Sequence, residues 1–385
     1  LGKSVKFQVN RDVFSEAVSF AVKLLPQRTT LPILSGVLIE TTDTGLKLSS
    51  FDYEVSAQTE ITAEIEEQGR ILVSGRLLAD IASRLPSAPV QFSTDEGRIT
   101  VACGSARFTL LSMPVEEYPT LPSVSGRSGL LPGDDFSTAV AQVAVAASRD
   151  DVTPVITGVQ LEIAENSLSL VATDRYRVAI RQIDWDGGTD GGDPVNALVP
   201  ARTLSEVGRT FGHSGNISVS ISTGDERELI AFTADKKTVT SLLIKGNFPP
   251  VRRLFPETVD NYAVMNTADL IEATRRVSLV LEREAALRYT FNLDGLTLEA
   301  IGSEQAQASE TIDALLTGGE TVVSLKPQFL LDGLGAVHSE YVRISFTKTD
   351  NPNKPGPVLI TSQSSKDQPG ADDYRYLLQP NLLLR

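Results

Sequence analysis

The sequence predicts an α+β protein of three repeated domains, each with two helices packed on antiparallel sheets. Two sets of repeated segments and an alternation of helical and strand periods predict it. Val73-Ser-Gly-Arg76-Leu77-Leu78, Val199-Pro-Ala-Arg202-Thr203-Leu204 and Leu325-Lys-Pro-Gln328-Phe329-Leu330 start 126 residues apart both times, and each opens an apolar helical segment. Gly45-Leu46-Lys47-Leu48, Ser167-Leu168-Ser169-Leu170 and Gly295-Leu296-Thr297-Leu298 follow one another at 122 and 128 residues. A period of about 20 to 50 residues would indicate a solenoid whose unit cannot bury its own core. A unit this long can, so the 385 residues divide into domains 1–128, 129–256 and 257–385.

Each third opens on a helix. Phe14, Val18, Ala21, Val22 and Leu25 recur at helical spacing in the first, and Asp134–Ala147 and Thr267–Leu281 repeat the pattern. Alternating strands follow, such as 36–40 and 46–48, with turns signalled by Asp43-Thr44-Gly45, Asp95-Glu96-Gly97 and Leu293-Asp294-Gly295. A second helix and further strands complete each domain. The expected helices span 11–25, 76–85, 134–149, 202–211, 268–283 and 327–338. Tyr118-Pro119 and Leu121-Pro122, then Phe248-Pro249-Pro250 and Phe255-Pro256, mark the two junctions, because such pairs stop helices and favour extended connectors. Ala172–Ala179 reads as a surface strand with a charged face, and 184–196, 349–356 and 364–373 read as polar loops.

Composition narrows the setting. A hydrophobic content of 41% is that of a globular protein, and no apolar run approaches a bilayer span. Leu1-Gly-Lys-Ser-Val-Lys-Phe7 lacks the apolar core of a secretory leader, and the single cysteine, Cys103, permits no intrachain disulfide. A cytoplasmic location without membrane contact is expected. The net charge of -14 opposes phosphate binding, but the six expected helices hold ten basic and ten acidic residues. The segments outside them therefore carry the whole excess. Helix faces that are locally positive and ordinary mixed amphipathic faces both satisfy this distribution.

Catalytic patterns are absent. His213 and His338 fall in no metal-ligand spacing, and no nucleophile elbow, phosphate loop or dinucleotide fingerprint occurs. Cys103, in Val101-Ala102-Cys103-Gly104, reads as a buried strand residue. Asp184, Asp186, Asp190 and Asp193 lack the spacing and closing glutamate of a calcium loop. No cofactor and no metal site are expected, and the chain is not expected to be an enzyme. Two other readings stay open: a triplicated peptide-binding scaffold that does not encircle DNA, and a hydrolase using two converging carboxylates.

Several side chains stand out. Arg28 in Gln27-Arg28-Thr29-Thr30 and Arg149 in Ser148-Arg149-Asp150-Asp151 occupy matching turns after the first helices of two thirds. Ala172-Thr173-Asp174-Arg175-Tyr176-Arg177-Val178-Ala179 is dense in functional groups, and Tyr376–Arg385 is apolar where tails are usually polar. With Thr30-Leu-Pro-Ile-Leu34 and Phe248-Pro-x-x-Arg-Arg253, these segments in this order resemble the bacterial sliding clamps, the beta subunits of the replicative DNA polymerase III. The resemblance covers residues from about Val5 to Leu382.

That resemblance implies a head-to-tail dimer closed into a six-domain ring around duplex DNA, held without sequence preference. The partners it implies are the replicative polymerase, the clamp loader and other proteins with clamp-binding motifs. It implies DNA contacts at Arg28, Arg149, Arg202, Arg76 and Arg84. Pro154 and Val155 stand where the family's best-studied members have aromatic residues that touch DNA. It implies a subunit contact of Leu77, Ile81, Leu85, Arg107, Phe108 and Leu110 against Leu279, Val280, Glu304, Gln307 and Glu310. The implied partner-peptide cleft is Ile156, Thr173, Arg175, Tyr176, Arg177, Val178, Pro249, Arg253, Leu254, Leu378, Gln379, Pro380 and Asn381. Gln379-Pro380-Asn381-Leu382-Leu383 departs from the family's usual Met-Pro-x-Arg-Leu ending, so an altered peptide preference or a modified register at the tail is expected.

Overall fold

The computed structural model describes residues 4–25, 31–188, 192–222, 228–300, 305–351, 354–371 and 373–383. It forms two compact units. The first holds Leu1–Ser137, Asp186–Gly191 and Ser205–Leu243, and the second holds Thr138–Trp185, Gly192–Leu204 and Ile244–Arg385. Every strand pairing between named strands among the described residues is antiparallel. Mixed helices and antiparallel sheets make the α+β architecture plain.

The helices are α1 (Arg11–Lys23), α2 (Gly75–Ala82), α3 (Gly133–Ala144), α4 (Ala201–Phe211), α5 (Thr267–Val277) and α6 (Pro327–Leu334). Each directly follows a strand, so every third reads strand, helix, strands, twice over. Asn10 caps α1 by accepting from the Asp12 and Val13 amides at 2.9 and 3.1 Å, and Asn266 caps α5 through the Asp269 amide at 3.0 Å. Such a cap contributes about 1 kcal/mol.

Five helices stop short of the ends expected from sequence. After α3 the amides of Ala146 and Ala147 bond back to Val143 and Ala144, tightening the chain before Ser148 donates to the Ile156 carbonyl at 2.8 Å. Ser278–Val280 continues α5 as a 3-10 turn. In α6, Gly333 lies so close to the Tyr376 ring that a Cβ would meet it at 2.6 Å, which lets the helix rest on that strand.

In the first unit a five-stranded sheet runs Glu64–Glu67, Lys6–Val9, Val90–Asp95, Arg98–Cys103, Ala106–Leu111. Phe7, Phe14 and Phe92 meet in its core, with centroids 4.7 and 5.0 Å apart. Cys103 is buried there. An eight-stranded sheet joins strands of the first and second thirds where Lys237 pairs with Thr59 and Ser241 with Val55.

The second unit repeats the scheme with a nine-stranded sheet, joined where Arg177 pairs with Leu378 and Arg181 with Tyr374. A four-stranded sheet runs Ala308–Ile312, Gly295–Ala300, Leu287–Asn292, Thr321–Leu325. Buried Tyr289 and Phe291 lie on its inner face. Among the described residues, no helix is long and apolar enough to cross a membrane.

Candidate functional site

The segment expected as one surface strand is two strands and a turn. Ser167–Thr173 ends, Asp174-Arg175-Tyr176 turns, and Arg177–Asp184 begins. The turn forms because Asp174 Oδ1 accepts from the Tyr176 and Arg177 amides at 3.0 and 3.1 Å, and the Thr173 hydroxyl donates to the Arg177 carbonyl at 2.7 Å. Aspartate so placed offers a local alternative to ladder bonds, which is why the charged run bends rather than extends.

Arg177 anchors the site. Its Nε bonds Asp174 Oδ2 at 3.0 Å, and its Nη1 reaches Asp332 Oδ2 at 2.5 Å and Tyr376 Oη at 3.1 Å. Its Nη2 donates to the Val145 carbonyl at 3.0 Å, and the guanidinium lies 4.5 Å from the Phe329 ring centre. Burial works against its charge, but Tyr376, Asp332 and Asp174 more than offset that, so its pKa lies above the ordinary arginine value. Burial also pushes the Tyr376 phenol up. That phenol donates to the Phe329 carbonyl at 2.6 Å. Strand, turn and α6 are thereby held as one piece.

Around this anchor opens a cleft of about 920 Å³, lined by Ile156, Arg175, Tyr176, Arg177, Phe329 and Arg149, among others. The Tyr176 ring, exposed, stacks on Phe329 at 5.9 Å. The cleft offers an aromatic floor, a rim of guanidinium groups and no catalytic constellation. No group of three His, Cys, Asp or Glu side chains suited to a metal ion occurs among the described residues.

Four of the thirteen expected cleft residues line this space: Ile156, Arg175, Tyr176 and Arg177. Thr173 is buried below the turn. Val178 belongs to the opposite face of the sheet, packed with Val171, Ile180, Val251, Phe255 and Leu377, because side chains alternate along a strand. Pro249 is half-buried, and Arg253 and Leu254 are exposed in the segment that supplies Val251. Leu378 and Pro380 are buried. The Gln379 amide donates to the Tyr176 carbonyl at 2.9 Å, and the Asn381 amide to Ser324 at 2.8 Å. The tail is therefore pinned beside the turn. Sequence reasoning missed Phe329, Asp332 and Tyr376 as partners of Arg177, although Phe329 stands in the repeated segment that revealed the triplication.

Of the expected DNA contacts, Arg76, Arg84, Arg149 and Arg202 are exposed, and Arg28 lies outside the described residues. Arg149 belongs to the cleft lining. Several other helix cations are neutralised: Lys23 by Glu206 at 3.5 Å, Arg275 by Glu272 at 3.0 Å, Arg276 by Glu310 at 2.7 Å. Arg84, Arg149 and Arg202 have no carboxylate within ion-pair distance among the described residues. The helix surfaces are mosaics with isolated positive points.

The expected subunit-contact residues fall into two groups. Leu77 (47% exposed), Phe108 (37%) and Leu279 (82%) present apolar surface, as does Leu111 (74%), which sequence reasoning overlooked. Ile81, Leu85 and Leu110 belong instead to the buried core of the first unit. Arg107 and Gln307 are exposed, Val280 is half-buried, Glu310 holds Arg276, and Glu304 lies outside the described residues. Ala106–Leu111 and Ala308–Ile312 are each the last strand of their sheet.

Comparison with known proteins gives a consistent result over the whole length. Sequence models for the N-terminal, central and C-terminal domains of the DNA polymerase III beta subunit match residues 5–122, 130–250 and 252–367. The chain is 44% identical to the beta sliding clamp of Streptomyces coelicolor, over 98% of this chain and 99% of that protein. It is 43% identical to the Micrococcus luteus beta sliding clamp, over 81% of this chain and 100% of that protein. The crystal structure of a Pseudomonas aeruginosa DnaN sliding clamp bound to griselimycin superposes with a TM-score of 0.89 at 25% identity, covering 99% of this chain and 100% of that one.

Proposed function

Because the chain belongs to the DNA polymerase III beta subunit family, the bacterial sliding clamps, we propose that two copies close head to tail into a ring around duplex DNA. The ring tethers the replicative polymerase and repair proteins and confers processivity; it is not an enzyme. Its three domains are 1–128, 129–256 and 257–385, and a shared sheet spans each of the two junctions.

The observation that supports the ring is that two of the edge strands, Ala106–Leu111 and Ala308–Ile312, belong to units that expose large apolar side chains. Ala106–Leu111 displays Phe108 and Leu111, the same unit exposes Leu77 on α2, and Ala308–Ile312 belongs to the unit that displays Leu279. Open edges flanked by apolar side chains invite strand addition, and pairing each with the other in a second copy removes both. A heterologous contact repeated by a twofold axis closes after two chains. Arg107 and Gln307 supply the polar rim of that contact, and Glu310 holds Arg276 beside it.

Arg84 and Arg202, with Arg76, Arg149 and Arg28, supply the DNA contacts. Few cations on an acidic body give weak, salt-sensitive and sequence-independent attraction, which suits sliding. The cleft beside Tyr176 and the tail receives short motifs of the polymerase, the clamp loader and other partners in the cytoplasm. A griselimycin-bound relative supports a ligand site on this fold. The test is retention: loaded protein should stay on closed circular DNA in high salt and be released when the circle is cut. Equal retention on linear DNA would mean that binding, not topology, holds it.

A further inference from the structure

Two turns occupy equivalent places in the two units. Asp52 Oδ1 accepts from the Glu54 and Val55 amides at 2.9 and 2.7 Å, as Asp174 Oδ1 does from those of Tyr176 and Arg177. Tyr53 has φ 72° and Arg175 φ 78°, the left-handed region that a side chain disfavours. The repeat therefore dictates the same backbone twice, and only the side chains differ. The first turn carries Tyr53-Glu54, and the second carries Arg175-Tyr176 at the large cleft.

We propose that Arg175, in a cleft whose lining also includes Arg149, selects partner peptides bearing a carboxylate. The inference rests on the cleft being the peptide site and names what that site prefers. The carboxylates lining the cleft are already engaged. Asp174 and Asp332 hold Arg177, Glu284 holds Lys326 at 2.7 Å, and Asp150 accepts from the Val152 amide at 3.0 Å. Arg175 uses one Nη2 bond, to the Thr153 hydroxyl at 2.8 Å, which orients the guanidinium and leaves donors free. Arg149 has no carboxylate partner among the described residues. An oriented guanidinium with spare donors is matched by a carboxylate through paired, charge-assisted hydrogen bonds. A peptide that lays apolar groups on Tyr176 and Phe329 places its polar residues against this rim.

The probe is a fluorescent peptide of the polymerase's clamp-binding segment, scanned with Asp, Asn or Lys at each position in turn. At one position Asp should bind roughly tenfold more tightly than Asn at low salt, the scale of one charge-assisted contact, and the advantage should shrink at high salt. Arg175→Gly suits the left-handed backbone, so the fold is retained while the Asp-to-Asn ratio falls to about one. Arg175→Lys should restore part of the ratio. An unchanged ratio in Arg175→Gly overturns the inference even though peptides bind. Failure of every peptide to bind the natural protein overturns the cleft reading itself and the inference with it. Weaker DNA retention with an unchanged ratio would make Arg175 a phosphate contact instead.

Discussion

Replacing Arg177 by methionine tests whether the turn and α6 are one mechanical piece. The side chain is 8% exposed and its carboxylate partners 13% and 17%, so water screens them only in part. Removing the cation leaves Asp174 and Asp332 uncompensated and the Val145 carbonyl without its Nη2 donor. The expected cost is about 3 kcal/mol, the lower end for a broken buried ion pair, because both acids keep some solvent access. Methionine retains an apolar stem against Phe329.

Asp332→Asn keeps an acceptor for Nη1 and should cost about 1 kcal/mol. In the double variant the remaining charge is smaller, so the combined cost should fall short of the sum by about 1 to 2 kcal/mol. A chain of two units is not a two-state system, and dimerisation makes melting concentration-dependent. Local opening is therefore read by hydrogen exchange of the amides in α6 and the 173–178 turn, at fixed protein concentration. Arg177→Met should raise exchange there roughly a hundredfold while α1 is unaffected, and should weaken peptide binding in parallel. Strict additivity of the two substitutions would refute the network, whatever their individual sizes.

Other outcomes follow from the same geometry. Leu279→Asp should leave the fold intact, since the side chain is 82% exposed, yet weaken the dimer about a hundredfold by sedimentation; an undisturbed dimer would remove Leu279 from the contact. Arg84→Glu with Arg202→Glu should speed diffusion along DNA and flatten the salt dependence of binding to open linear DNA, while dimerisation and residence on a closed circle are unchanged. Burial raises the phenol pKa of Tyr289, Tyr374 and Tyr376, so the neutral forms are the stable ones in the fold. Their contribution is complete below the ordinary phenol value of about 10 and declines as pH rises above it, which absorbance titration alongside unfolding will follow. Ionisation of all three near pH 10 without unfolding would contradict their burial.

The triplication was legible because a repeat long enough to fold alone leaves matching strand-to-helix junctions at Val73, Val199 and Leu325. The helix starts were equally legible from their apolar stripes, and the structure adds Asn10 and Asn266 as caps of two of them. Helix ends were not: periodicity continues through Ala147 and Leu281, whereas the chain leaves the helix where loop amides find other acceptors, as Ser148 does at Ile156. The charged run at 174–177 was read as a strand because local pattern cannot register that Asp174 bonds two amides ahead. Arg177 was identified, but its partners Asp332 and Tyr376 lie far along the chain, and no local spacing announces a contact across such a distance. The same limit hid which apolar residues of a contact patch face outward. Leu110 and Leu111 are neighbours in sequence, and only the pleat decides that the first is core and the second surface.

An acidic body with a few isolated cations is ill suited to DNA only if affinity must do the holding. For a chain that encloses its ligand, tight phosphate contacts would brake sliding, and a strong positive field would recruit nucleic acid to outer faces as well. The demand shifts from the DNA surface to the closure contacts, which must be stable yet separable by a loader. Edge strands would meet that demand in the proposed ring, since their backbone bonds form along one line and exposed Phe108, Leu111 and Leu279 would add apolar area around it. On the proposed ring, stability of enclosure would reside in Ala106–Leu111 and Ala308–Ile312, and freedom of movement in how little Arg84 and Arg202 hold. Strengthening either arginine site should therefore slow diffusion along DNA without lengthening residence on a circle, whereas strengthening the edges should lengthen residence without slowing diffusion.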